Sequence, residues 1–169
     1  MNVRVLTMFG AAVVFVLGSV LGVQMLLAKP NDPPPAPTCK AQTVKAGEQL
    51  TSNVVTVNVF NASKRAGLAN RVTINLQRNG FLGGQIGNST SAAKQAAVTI
   101  LTNDPNDPRV KLVAAQFQDK VVYAAPDITV KEGVAVVVGD AFTKLRGKPA
   151  RSVVAATDVT TCVPTLQVP

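Results

Sequence analysis

The chain has 169 residues, with 17 Lys and Arg against 9 Asp and Glu, and a formal charge of +8. It has no His and no Trp, which excludes imidazole acid–base catalysis and His-containing metal sites, and its two cysteines alone cannot close a structural zinc site. Two of the cations, Arg4 and Lys29, flank the apolar N-terminus; the other 15 of the 17 give the remainder a basic surface suited to polyanionic partners or simply to solubility.

Residues 5–28, VLTMFGAAVVFVLGSVLGVQMLLA, carry no charge and are numerous enough to span a bilayer as a helix. A signal-peptide core is usually shorter, and Lys29 and Pro30 directly follow Ala28, the only small residue near a cleavage position. Residues 1–29 therefore read as a cytoplasmic stub and an uncleaved membrane anchor. Gly18 and Gly22 form a G-x-x-x-G step through which two such helices could pair into a homodimer. Residues 30–38, opening PNDPPPAP, read as a stiff proline-rich linker, reaching roughly 25 Å at about 3.1 Å per residue.

Residues 39–169 remain for one folded domain. Cys39 and Cys162 lie near its two ends, which suits a disulfide joining entry and exit in an oxidising compartment; the alternative is two unrelated free thiols. Charge flanking the anchor is nearly balanced and barely fixes its orientation, so the cysteine pair decides it. With the disulfide, the N-terminus is cytoplasmic and the domain extracytoplasmic.

After a lead-in over 40–53, Val55, Val57 and Val59 alternate with Thr56, Asn58 and Phe60, the two-residue period of a strand. Asn61, Ala62 and Ser63 break it, and Ser63 is the expected cap of a helix whose stripe is Leu68, Val72 and Leu76. Gly80 and Phe81 have the order of a Schellman stop, with Phe81 returning to Leu76. Beyond it, a short strand and loop lead to a second strand near 97–102. Gly83-Gly84 has neither dinucleotide-loop nor phosphate-loop spacing. Asp107-Pro108 opens a second helix, whose face is Val110, Val113, Ala114 and Phe117 to about Gln118. Strands are expected at 120–125 and 133–139, with an edge strand at 152–156. The order implies a two-layer α+β domain: a split-βαβ-like mixed sheet of about five strands with two helices, following the transmembrane helix.

Two basic groupings are candidate binding sites. Lys64 and Arg65, placed in the expected first helical turn with Asn61 and Ser63, put cations where the helix dipole is positive, so an anion could dock there. The alternative is a pair of solvated cations. Lys144, Arg146, Lys148 and Arg151 put four cations in eight positions with no acid, read as a binding loop, a solvated turn or a contact with anionic lipid. Asp107 is explained by capping, and Asp140, at a strand end, is the one carboxylate that an enzyme reading would test.

These residues resemble a known family. The run VVTVNVFNASKRAGLANRVTINLQRNGF, then IGNS, AVTIL, KLVA and VVVGDAF, is similar over roughly 54–142 to the LytR C-terminal domain associated with LytR-CpsA-Psr cell-wall proteins. Val59-Phe60-Asn61, Gly67-Leu68-Ala69 and Gly80-Phe81 match its hallmarks, while Ala62 stands where the family usually has Gly. The resemblance implies a non-catalytic envelope-integrity module with no cofactor, binding a cell-wall glycopolymer or an envelope protein. The alternative is a protein–protein scaffold for cell-wall or export machinery. Nucleic acid is not an expected partner: the chain has 1 Tyr and 6 Phe, and the domain is placed outside the cytoplasm.

Overall fold

The computed structural model describes Gly18, Ser19, Val23 and residues 39–93 and 96–164. Two compact units divide the chain at Ala36 and Pro37. In the first, Gly18, Ser19 and Val23 are helical and exposed. The expected membrane helix, its G-x-x-x-G step and the linker otherwise lie outside the described residues. Among the described residues no helix is long and apolar enough to cross a membrane.

The second unit is built on a five-stranded mixed sheet, as the sequence implies. Its strands are β3 (Thr56–Asn61), β4 (Leu82–Asn88), β5 (Val98–Leu101), β6 (Val121–Ala124) and β7 (Val134–Val138), in the order β4-β3-β7-β5-β6. Helix α1 (Leu68–Arg78) joins the parallel neighbours β3 and β4, and α2 (Pro108–Ala114) joins the parallel neighbours β5 and β6. The inserted strand, β7, lies between these two βαβ units, parallel to β3 and antiparallel to β5.

Three strands went unread in the lead-in and tail. β1 (Cys39–Val44) pairs with β9 (Val159–Pro164), and β2 (Gln49–Thr51) pairs with β8 (Ser152–Val154), both antiparallel. β1 is polar and exposed except at Val44, so its own sequence carries no burial period; a partner more than a hundred residues away defines it. The expected edge strand at 152–156 therefore belongs to a separate ribbon.

On the helix side, Val57, Val59, Val98, Ile100, Val134, Val136 and Val138 pack against Leu68, Val72 and Leu76 of α1 and Val110, Leu112 and Val113 of α2. Leu50, Val44 and Val159 of the two ribbons join the same core. Phe60, Leu101, Ala135 and Val137 form a second cluster with Ala93, Ala124, Ile128 and Val130, so chain segments without helix or strand supply much of the cover on the other face. That cover is pinned by Asp127, whose carboxylate accepts from the Ser91 hydroxyl (2.9 Å) and the Ala92 N–H (2.7 Å).

The stop of α1 is the expected Schellman motif. The Phe81 N–H reaches the Leu76 carbonyl (3.1 Å), the Gly80 N–H reaches Gln77 (2.9 Å), and Gly80 has φ +99°. The start differs from expectation. The residue before the helix is Gly67 in the left-handed region, so Ser63 is not its cap, and Lys64 and Arg65 precede the first turn instead of lying in it. Local side-chain bonds win over helix extension here: Asn61 Oδ1 accepts from both the N–H (3.0 Å) and the hydroxyl (2.7 Å) of Ser63, closing an Asx turn. Ala62 does not take the positive φ of a glycine, since no non-glycine residue among those described has one.

Asp107 caps α2 as expected, accepting from the Arg109 N–H (2.8 Å), with Pro108 at the first turn. The helix stops at Ala114, earlier than expected, and the chain turns so that Gln116 and Phe117 are buried. Burial pushes the Asp107 carboxyl up, but the Arg109 guanidinium and the N–H groups of Arg109 and Val110 outweigh it and hold the carboxyl below its ordinary value. A group lowered in the folded state contributes stability that is complete above the unfolded pKa of about 3.9 and is lost as pH falls through the folded value. Asp107→Ala is expected to cost about 1 kcal/mol at neutral pH and to flatten the acid limb of stability. Urea midpoints at pH 7 and pH 3 measure both, and a variant with the parent's acid limb contradicts the assignment.

Candidate functional site

The carboxyl ends of the parallel strands β3 and β7 feed two loops that meet over the start of α1. The carboxyl ends of the strands are where open α/β sheets commonly place ligands. The loop after β3 is ordered from within: Asn61 Nδ2 donates to the Arg65 carbonyl (2.9 Å) and the Arg65 N–H donates to Ser63 Oγ (3.1 Å). It is tied to the loop after β7 by the Lys64 N–H, which donates to Asp140 Oδ1 (2.8 Å), and by the Arg65 guanidinium, which donates to the Phe142 carbonyl (2.7 Å). Asp140 thus orders a loop.

These contacts change the reading of the first candidate. The N–H groups of Ser63, Lys64 and Arg65 are all engaged and are not available to an anion. Arg65 instead turns beside α1 and, with Arg71 and Lys144, lines a groove of about 270 Å³ between α1 and residues 142–145. Leu68, Val72, Phe142 and Leu145 also line it, so the cations surround an apolar wall. The groove joins one residue from each predicted grouping and adds Arg71, which the sequence reading did not single out. Arg71 directly precedes Val72 of the apolar stripe, and that flanking position was its only signal.

The rest of the second grouping is divided. Arg146 Nε donates to the Phe117 carbonyl (2.9 Å) and its N–H to the Gln116 carbonyl (2.8 Å), so Arg146 docks its loop onto the end of α2. Lys148 and Arg151 are exposed and do not line the groove. Sequence reasoning also missed Gln116, which is fully buried. It accepts from Asn79 (3.1 Å) and donates to the Leu112 (3.1 Å) and Ala150 (2.7 Å) carbonyls, fastening α1, α2 and the basic loop together.

Among the described residues the only ion pair is Asp107–Arg109 (2.5 Å). Arg65, Arg71 and Lys144 therefore stand around the groove without a carboxylate partner, and a concave apolar wall focuses their field. Cys39 and Cys162 form the expected disulfide, with Cα atoms 5.3 Å apart, across the β1–β9 ribbon. Glu132 approaches these sulfurs closely enough to suggest a metal cluster, but the disulfide consumes both thiolates that a metal would need.

A comparison with curated proteins finds no match. Among solved structures, the soluble domain of a conserved hypothetical secreted protein from Mycobacterium marinum is similar at 21% identity and a TM-score of 0.47, covering 62% of this chain and 79% of that one. The family described as "LytR cell envelope-related transcriptional attenuator" matches residues 54–142, which run from the lead into β3 to Phe142 at the basic groove. That match takes in more than half of the chain, and the protein belongs to the LytR C-terminal domain family.

Proposed function

We propose that the protein is a non-catalytic module of the cell envelope, held at the membrane by residues 5–28, whose extracytoplasmic domain binds an anionic wall glycopolymer. The observation that carries this reading is the groove of Arg65, Arg71 and Lys144, three cations around an apolar wall with no carboxylate partner among the described residues. Phosphate or carboxylate groups of a polymer meet the cations there, while apolar sugar faces meet the wall. Lys148 and Arg151 add exposed cations elsewhere on the domain. The disulfide supports the extracytoplasmic placement, since such bonds persist in oxidising compartments.

Co-sedimentation of the full chain, in detergent, with purified wall material tests this. The variant Arg71→Glu/Lys144→Glu is expected to bind at least tenfold more weakly at low salt, and binding by the parent should fall as ionic strength rises. Unchanged binding by the variant would remove the groove from consideration. A protein scaffold is the second reading, favoured by the exposed edge strand β6, where Val122 and Tyr123 are 40% and 41% accessible. Crosslinking through Tyr123 that traps a protein, together with no affinity for wall glycan, would favour it.

A further inference from the structure

A second cleft lies on the opposite side of the start of α1, between Ala69-Asn70 and the carboxyl ends of β3 and β4. Its volume is about 190 Å³ and no charged residue lines it. Asn61, Asn70 and Asn88 supply amides, Gly67 and Gly87 also line it, and Ile86 presents an aliphatic side chain that is 48% exposed. The Asn61 amide is already used within its own turn, whereas those of Asn70 and Asn88 have no hydrogen-bond partner among the described residues.

The register of β4 is what aims two of these residues. Val57 pairs with Gly83 but Val59 pairs with Ile86, so β4 carries one extra residue at this point. Without the bulge, Gln85 would oppose Val59 and Ile86 would face the other side of the sheet. With it, Ile86 and Asn88 share the face of Val59 and Asn61, toward α1. The bulge is held by a buried side chain: Asn58, 2% exposed, accepts from the Gln85 N–H (2.8 Å). Bulges of this kind commonly re-aim side chains beside functional sites. Here a buried polar group is used to leave an isoleucine in water.

We propose that this cleft is a subsite for one uncharged pyranose unit of a glycan chain. Each free amide offers a donor and an acceptor, which suits adjacent sugar hydroxyls, and Ile86 packs against the apolar C–H face of the ring. The inference rests on the glycopolymer reading but uses a different cleft, so one chain could place a neutral sugar here and an anionic group beyond the 61–67 turn.

The test is NMR titration of the full chain in detergent with glucose, mannose, galactose and N-acetylglucosamine, following the side-chain amides of Asn70 and Asn88. At least one sugar should shift both with millimolar affinity independent of salt. Asn70→Ala/Asn88→Ala and, separately, Ile86→Ser should weaken that binding at least tenfold without moving the urea midpoint, because all three positions are exposed. Arg71→Glu/Lys144→Glu should leave it unchanged. No shift with any of the four sugars, or equal affinity in the Asn70→Ala/Asn88→Ala variant, overturns the subsite and leaves the basic groove standing. Neutral-sugar binding combined with undiminished polymer binding by Arg71→Glu/Lys144→Glu keeps the subsite and removes the groove.

Discussion

Replacing both cysteines, Cys39→Ser/Cys162→Ser, is expected to lower the unfolding free energy of the domain by about 4 to 5 kcal/mol on the loop-entropy model. The bond closes a loop across a sequence separation of 123, which contains every strand of the main sheet and both helices. Opening it releases conformational freedom mainly to the unfolded chain, so the loss appears as reduced stability and not as a changed fold. At its inner end the ribbon is held by Val44 and Val159 in the core and by Arg109, which donates to the Thr160 carbonyl (3.2 Å), but the Cys39 end of β1 is exposed and, among the described residues, β1 pairs only with β9. Isolated two-stranded ribbons are marginal in water. With a urea slope of about 2 kcal/mol/M, the midpoint should fall by roughly 2 M. An unchanged midpoint, with amide protection lost only in β1 and β9, would show that the ribbon frays by itself and that the loop constraint does not act on the whole domain.

Asn58→Leu is expected to cost about 2 to 4 kcal/mol, because two backbone groups lose their partner at once. Asn58 Oδ1 accepts from the Gln85 N–H at the bulge, and Nδ2 donates to the Glu132 carbonyl (2.7 Å) just before β7. Leucine has similar size and fills the space but satisfies neither group. The same node limits Gly84, where an added Cβ would lie 2.3 Å from Asn58 Oδ1. Gly84→Ala should therefore destabilise as well, and the double variant should cost less than the sum of the two, since both act on one contact. Strict additivity, or an Asn58→Leu protein as stable as its parent, would count against the pin. Loss of the bulge should also turn Ile86 away from α1, so Asn58→Leu should weaken neutral-sugar binding even in the fraction that remains folded.

The elements that were legible in the sequence were those whose signal is local. The strand at β3, the stripe of Leu68, Val72 and Leu76, the Schellman stop at Gly80-Phe81, the Asp107-Pro108 start and the fully buried β7 each follow from neighbours within a few residues. The start of α1 was misread although its residues are equally plain. Ser63 suits a cap and also suits an Asx turn with Asn61, and the choice between them depends on Asp140 and Phe142, about 76 residues away, which draw Lys64 and Arg65 toward the end of β7.

The candidate sites divide in the same way. Composition alone supplied the basic surface, the unpaired excess of cations and the absence of imidazole chemistry. The cysteine positions indicated their pairing because they bracket the domain. Only the tertiary structure decided which cations act together. Arg65, Arg71 and Lys144 come from α1, its preceding turn and a distant loop, and they share a groove because β3 and β7 are parallel neighbours whose carboxyl ends lie side by side. No local pattern encodes that adjacency. It also takes the fold to turn Ile86 toward α1, through a bulge fixed by one buried amide. Local patterns in the chain fix the main-sheet strands, the helices and the sign of the surface charge, whereas the ribbons, the start of α1 and the place where the charge gathers beside an uncharged cleft come from packing between distant segments.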